Sequence, residues 1–180
     1  PWMDTAFSSS CGIKQYVQVN QCFSPSAKCN EYIELHGDRW TDSIIPGLEG
    51  STSYTFLSLK QIGSSLGAVW QDLDLDTVVY STYNKPNWQS TRILNNAVWA
   101  DLENFNDQPG IAYICSKDGS LTLWLGQYSN AKWEFEFVEN IVGATSTFCK
   151  CVLLNWNGNP CIFVKKAGIE ISFYYKVGNT

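Results

Sequence analysis

The chain has 180 residues, of which 44% are hydrophobic and only 16% charged; that mixture excludes a disordered chain, which needs low hydrophobicity and high charge. The net charge is −5 and the only arginines are Arg39 and Arg92, so there is no basic face of the kind that binds nucleic acid. No apolar run approaches the ~20 residues that a membrane helix requires, and no membrane span is expected.

Short alternating or β-branched runs dominate, and helical spacing of apolar residues is scarce. In chain order the expected strands cover 16–19, 31–35, 40–45, 54–59, 66–71, 77–82, 88–93, 97–102, 111–116, 121–126, 133–138, 149–154, 161–165 and 170–177. Turn chemistry punctuates them at Pro109-Gly110, Asp118-Gly119, Asn157-Gly158-Asn159-Pro160 and Ala167-Gly168. The one stretch that reads as a helical turn is Leu102 to Asn106. The expectation is a single all-β domain over residues 1–180.

A repeat underlies these strands. Trp40, Trp88 and Trp133 each open a strand that ends in an aliphatic residue, and two further apolar strands precede each of them. The reading is about four copies of a short antiparallel meander. One such sheet cannot bury both faces, so neighbours must stack, and radial stacking gives a β-propeller-like fold. A β-sandwich or barrel is the alternative. The last copy lacks its Trp strand, and the segment Trp2 to Ser9 is expected to supply it.

Seven cysteines fit a secreted, extracellular protein with disulfides. Cys22 and Cys29 flank a loop containing Pro25, and Cys149 or Cys151 is expected to bond Cys161 across the turn at Asn157 to Pro160. The chain begins at Pro1 without a visible signal peptide, which reads as a processed or trimmed N-terminus. There is no CxxC pair and only one histidine, His36, so no metal or other cofactor is expected. Asp72, Asp74 and Asp76 alternate with leucine but lack the glycine of a calcium loop.

The run Ile111-Ala112-Tyr113-Ile114-Cys115-Ser116-Lys117-Asp118-Gly119-Ser120-Leu121, continued from Thr122 to Trp133, resembles a blade of the fungal fucose-specific lectins. The looser units around Trp40 and Trp88 are similar. The resemblance implies a propeller of lectin type. That family holds sugar with an Arg, a Glu and a Trp; here the Arg and Glu positions fall near Ile111 and Leu123, and Trp133 alone matches.

Candidate ligand-binding residues follow from tryptophans beside polar loop residues. The first group is Glu34, Asp38, Arg39 and Trp40, where a fork of donors adjoins a stacking plate. The second is Asn84, Asn87 and Trp88, and the third is Asn130 and Trp133. No GxSxG, HExxH or phosphate loop is present, so no catalytic residue is assigned. The expected function is a lectin-like module that binds a carbohydrate or glycoprotein. The alternatives are an effector- or toxin-like protein with a protein target, and a small-molecule enzyme with an apolar aromatic pocket.

Overall fold

The structure, a computed structural model, describes residues 4–6, 16–18, 31–36, 39–44, 57–72, 76–84, 87–144, 149–166 and 170–176. The described residues are almost all in antiparallel strands, so the chain is all-β. Its contacts divide it into two compact units, Pro1–Thr52 and Ser53–Thr180.

The first unit holds β1 (Asp4–Ala6), β2 (Tyr16–Gln18), β3 (Glu31–His36) and β4 (Arg39–Ile44), joined in that order into one sheet. Thr5 stands opposite Val17. The described residues of the N-terminal segment, 4–6, thus pair within the first sheet, and the rest of Trp2 to Ser9 lies outside the described residues. Pairing with a near neighbour in sequence closes a much shorter loop and costs less chain entropy.

The second unit holds three sheets, each again in chain order. The second sheet is β5 (Leu57–Ile62), β6 (Ser65–Asp72), β7 (Thr77–Asn84) and β8 (Asn87–Asn95). The third is β9 (Ala97–Phe105), β10 (Gln108–Lys117), β11 (Ser120–Ser129) and β12 (Lys132–Ile141). The fourth, β13 (Lys150–Trp156), β14 (Asn159–Lys165) and β15 (Ile171–Tyr175), has three strands.

The meander repeat is present in the register. Trp88 is the second residue of β8 and faces Tyr83; Trp133 is the second residue of β12 and faces Tyr128. The two Tyr–Trp pairs have ring centroids 5.3 and 5.5 Å apart. Trp40 is likewise second in β4, opposite Leu35. A register shift between Val78 and Val79 has its counterpart between Leu123 and Trp124, so even the bulge is repeated.

The third sheet is covered on both faces. On one face Leu102, Ile111 and Tyr113 meet Val69, Val78 and Tyr80 of the second sheet. On the other, Ala112, Ile114, Leu123 and Leu125 meet Cys151, Leu153, Ile162 and Val164 of the fourth. Burial on both sides explains the nearly continuous apolar run Ile111 to Cys115, which a half-exposed strand would not show.

Three local expectations are corrected. Leu102 to Asn106 is the end of β9 and the start of its hairpin, not a helical turn. Asn106 and Asp107 take φ of 51 and 65°, the mirror-image turn that matches strand twist and that Asn and Asp tolerate. Pro109-Gly110 is not a turn but the beginning of β10. Proline is admissible at a strand start, where no ladder donor is required of it. Gly110 is needed because a Cβ there would come within 2.6 Å of the Phe105 ring.

The third correction concerns the cysteines. Cys115, Cys149, Cys151 and Cys161 are free thiols. Cys151 stands opposite Val164 and Cys161 opposite Leu154. That three-residue offset puts the two side chains on opposite faces of the sheet, where no disulfide can join them. Cys149 and Cys151 belong to the core against the third sheet. Cys22 and Cys29 lie outside the described residues.

Candidate functional site

The first strand of each sheet in the second unit is an edge strand, with outward backbone groups that no ladder satisfies. Side chains of the neighbouring sheets take their place, and they do so repetitively. Asn104 Nδ2 donates to the Gln61 carbonyl at 3.0 Å, and Asn155 Nδ2 donates to the Asn104 carbonyl at 2.7 Å. The Leu102 amide donates to Ser58 Oγ at 3.2 Å, and the Leu153 amide to Asp101 Oδ2 at 2.8 Å. Ser58 Oγ also donates to Asp101 Oδ1 at 2.6 Å. Asp101 thus touches all three sheets. Burial pushes its carboxyl pKa up, against the opposing pull of Ser58, the Leu153 amide and Lys60.

These ties hold β5, β9 and β13 together at one edge. At the other edge the sheets separate. A groove of about 480 Å³ opens between the third and fourth sheets, lined by Glu136, Phe137, Val138, Tyr174 and Lys176 among others. Lys176 and Glu136 form an ion pair across it. Phe137 packs edge-on against Trp124, with centroids 5.5 Å apart, and keeps 46% of its surface exposed. Two strand edges therefore offer an acid from β12, and an ammonium group and the half-buried Tyr174 ring from β15, to a single occupant, while the Phe137 ring lies on the opposite face of β12, toward the second sheet.

Between the second and third sheets lies a cluster of rings. Tyr80 meets Trp133 edge-on at 5.4 Å, Trp133 stacks on Phe135 at 6.3 Å, and Phe135 meets Tyr113 edge-on at 5.7 Å. Burial raises the pKa of both the Tyr80 and Tyr113 phenols, so both stay neutral at any ordinary pH. Thr91 is the register partner of Tyr80, and Gln89 that of Thr82; both are exposed. They lie on the face of the second sheet turned toward these rings.

The expected site residues are distributed as follows. Trp133 is half-buried against the core, with Tyr80, Tyr128 and Phe135 around its ring. Asn130 is exposed with φ of 50°, a turn position beside Ala131 at 61°. Asn84 and Asn87 are exposed register partners closing the β7–β8 hairpin, and Asn84 accepts from Ser65 Oγ at 2.8 Å. Trp88 is brought beside them by the same hairpin. In the first unit, Arg39 is the register partner of His36, Trp40 of Leu35, and Glu34 of Thr41. Asp38 lies outside the described residues.

Glu136, Tyr174 and Lys176 were missed. A usable signal existed in the sequence for the inner-edge ties. Asn104-Phe105-Asn106-Asp107-Gln108-Pro109-Gly110-Ile111 matches Asn155-Trp156-Asn157-Gly158-Asn159-Pro160-Cys161-Ile162. In both copies the leading Asn closes its turn, accepting from Asp107 N at 2.9 Å and from Gly158 N at 2.8 Å. Glu136 and Lys176, in contrast, are 40 residues apart, and no local spacing links them. No protein-family model matches the chain, and no curated protein matches it.

Proposed function

We propose that the chain is a secreted, lectin-like module that binds carbohydrate, with its sheets stacked as propeller-type blades. The observation that carries this reading is the groove between β12 and β15, where the Lys176–Glu136 pair adjoins the half-buried Tyr174 ring. A sugar ring has an apolar face and a rim of hydroxyls. An aromatic ring takes the first, and a carboxylate with an ammonium group takes the second. A groove of this size, with a few polar groups converging among apolar walls, has the character of a small-ligand site. The tryptophan groups at Trp40 with Arg39, Trp88 with Asn87, and Trp133 with Asn130 belong to the same proposal as further contacts at hairpin tips.

A glycan array on the full chain, followed by calorimetry on the best ligand, tests it. Glu136→Gln and Lys176→Ala should each weaken binding by ~10- to 100-fold, the range expected for about 1–3 kcal/mol of charged hydrogen-bond energy. Both residues are exposed at the surface, so circular dichroism should be unchanged. A parent chain that binds no glycan sinks the carbohydrate reading. Binding that ignores both substitutions moves the site out of the groove.

A further inference from the structure

The outer face of the fourth sheet is the largest unexplained feature of the second unit. Register rows Val152–Phe163–Phe173 and Leu154–Cys161–Tyr175 lie on one face, with Trp156 beyond them. Val152 is 50% exposed, Trp156 62% and Phe173 56%. The rings lie close together: Phe163 and Phe173 have centroids 4.9 Å apart, and Phe173 and Tyr175 6.4 Å. Trp156, Phe163 and Tyr175 also wall a trough of about 410 Å³.

The same face of the preceding sheets is built differently. There the first strand carries Ser58 and Lys60, then Asp101 and Glu103. Each reaches polar groups of the next sheet, Ser58 to Asp101, Lys60 to Glu103 at 3.3 Å, and Asp101 to the Leu153 amide. At the corresponding places in the fourth sheet stand Val152 and Leu154. The stacking pattern has been changed from polar ties to apolar surface, so this face does not ask for another sheet of the polar-tied kind. It asks for an apolar partner face.

We infer that the partner is a second copy of this chain, with the two β13–β15 faces packed against each other. The exposed apolar surface is roughly 700 Å² when typical side-chain areas are scaled by the exposures, close to the ~800 Å² per partner of a standard interface. The two-fold axis runs across the strands, through the central row. An axis along the strands would set Lys165 over its own copy, and like charges facing each other are destabilising. An axis across them sets Lys165 over the row of Leu154 and Tyr175, where its stem covers apolar surface and its ammonium meets an aromatic ring. This inference stands on the fourth sheet alone and does not depend on carbohydrate binding.

Analytical ultracentrifugation of the full chain is the test. A dimer with a dissociation constant of about 10 μM or tighter is expected for an interface of this area. Phe173→Glu and Val152→Glu should each weaken it at least ~30-fold, since each buries an unpaired carboxylate at the interface. Val142→Glu, at a position 80% exposed outside this face, should leave it intact. If Phe173→Glu fails to fold, Val152→Glu decides. A parent that stays monomeric at ~100 μM overturns the inference. So does a dimer that survives both substitutions. Preferential pairing of Lys165→Glu copies with parent copies would put lysine over lysine and overturn the axis.

Discussion

Replacing Asp101 by alanine should loosen all three sheets of the second unit at once. The change removes the acceptors of the Leu153 amide and of the Ser58 hydroxyl. Leu153 is fully buried, so its amide has no water to turn to, and leaving it unpaired costs about 1–3 kcal/mol. The Ser58 hydroxyl can rotate and loses about 0.5–1.5 kcal/mol. The sum is ~2–4 kcal/mol, which lowers the melting temperature by roughly 8–16 °C at about 4 °C per kcal/mol. Asp101→Asn should cost less than ~1 kcal/mol, because an amide can accept from Leu153 and donate to Ser58 Oγ. Its pH behaviour is a second readout. The folded carboxyl pKa is raised by burial, so Asp101 contributes stability that is complete below the unfolded carboxylate pKa and is lost as pH rises through the folded value. The parent should therefore lose stability relative to Asp101→Asn across that window. Urea unfolding of the three proteins over a pH series measures both. An alanine variant within ~0.5 kcal/mol of the parent would refute the tie.

Two more tests use the glycines and the thiols. Gly110→Ala drives a methyl into the Phe105 ring, at 2.6 Å from its nearest atom, and should cost ~1–3 kcal/mol in chemical denaturation as overpacking does. Gly119→Ala meets nothing within 4 Å but sits at φ of 78°, so only the backbone penalty of ~1–2 kcal/mol applies. Alkylation with mass spectrometry should label Cys151 only after unfolding, since it is buried and burial holds its thiol pKa well above the ordinary value, whereas half-buried Cys115, its thiol pKa also raised by burial and by Asp76, should react slowly but measurably in the native protein. A disulfide-linked peptide joining Cys161 to Cys149 or Cys151 would contradict the register of β13 and β14.

The repeat was legible because its markers are local. A tryptophan second in the last strand of each four-stranded sheet needs only a fixed interval and a following apolar run, and Trp40, Trp88 and Trp133 supply both. Turns were legible where two residues alone decide them, as at Asp118-Gly119 with φ of 52 and 78°. They were misread where the deciding contact is tertiary. Gly110 looks like a turn residue until Phe105 is seen lying over it. The cysteine pairing failed on parity: an offset of three along paired strands reverses the face, and that follows only once the register is known. The groove was illegible because β12 and β15 are brought together by the stacking of two sheets rather than by any shared sequence pattern.

The stacked sheets are tied along the edge of their first strands and leave a groove between β12 and β15. Of the ties at Gln61, Asn104 and Asn155, the one from Asn155 to Asn104 joins the two sheets that carry β12 and β15, and so bears on the width of the groove. Asn104 and Asn155 do the same two things, each closing its own hairpin and each donating to the first strand of the preceding sheet. Changing either to aspartate keeps the turn acceptor and replaces the donor by an oxygen facing a carbonyl. The cost should be ~0.5–1.5 kcal/mol, that of one hydrogen bond at a surface where water can partly substitute. The two variants should agree within ~0.5 kcal/mol if they are equivalent rungs of one ladder. Only Asn155→Asp loosens the tie between the third and fourth sheets, so it alone should also weaken a ligand held between β12 and β15. Paired urea titrations and calorimetry separate the two effects. Unequal stability losses would break the equivalence of the rungs, and equal losses of binding would show that the groove width is not set at Asn155.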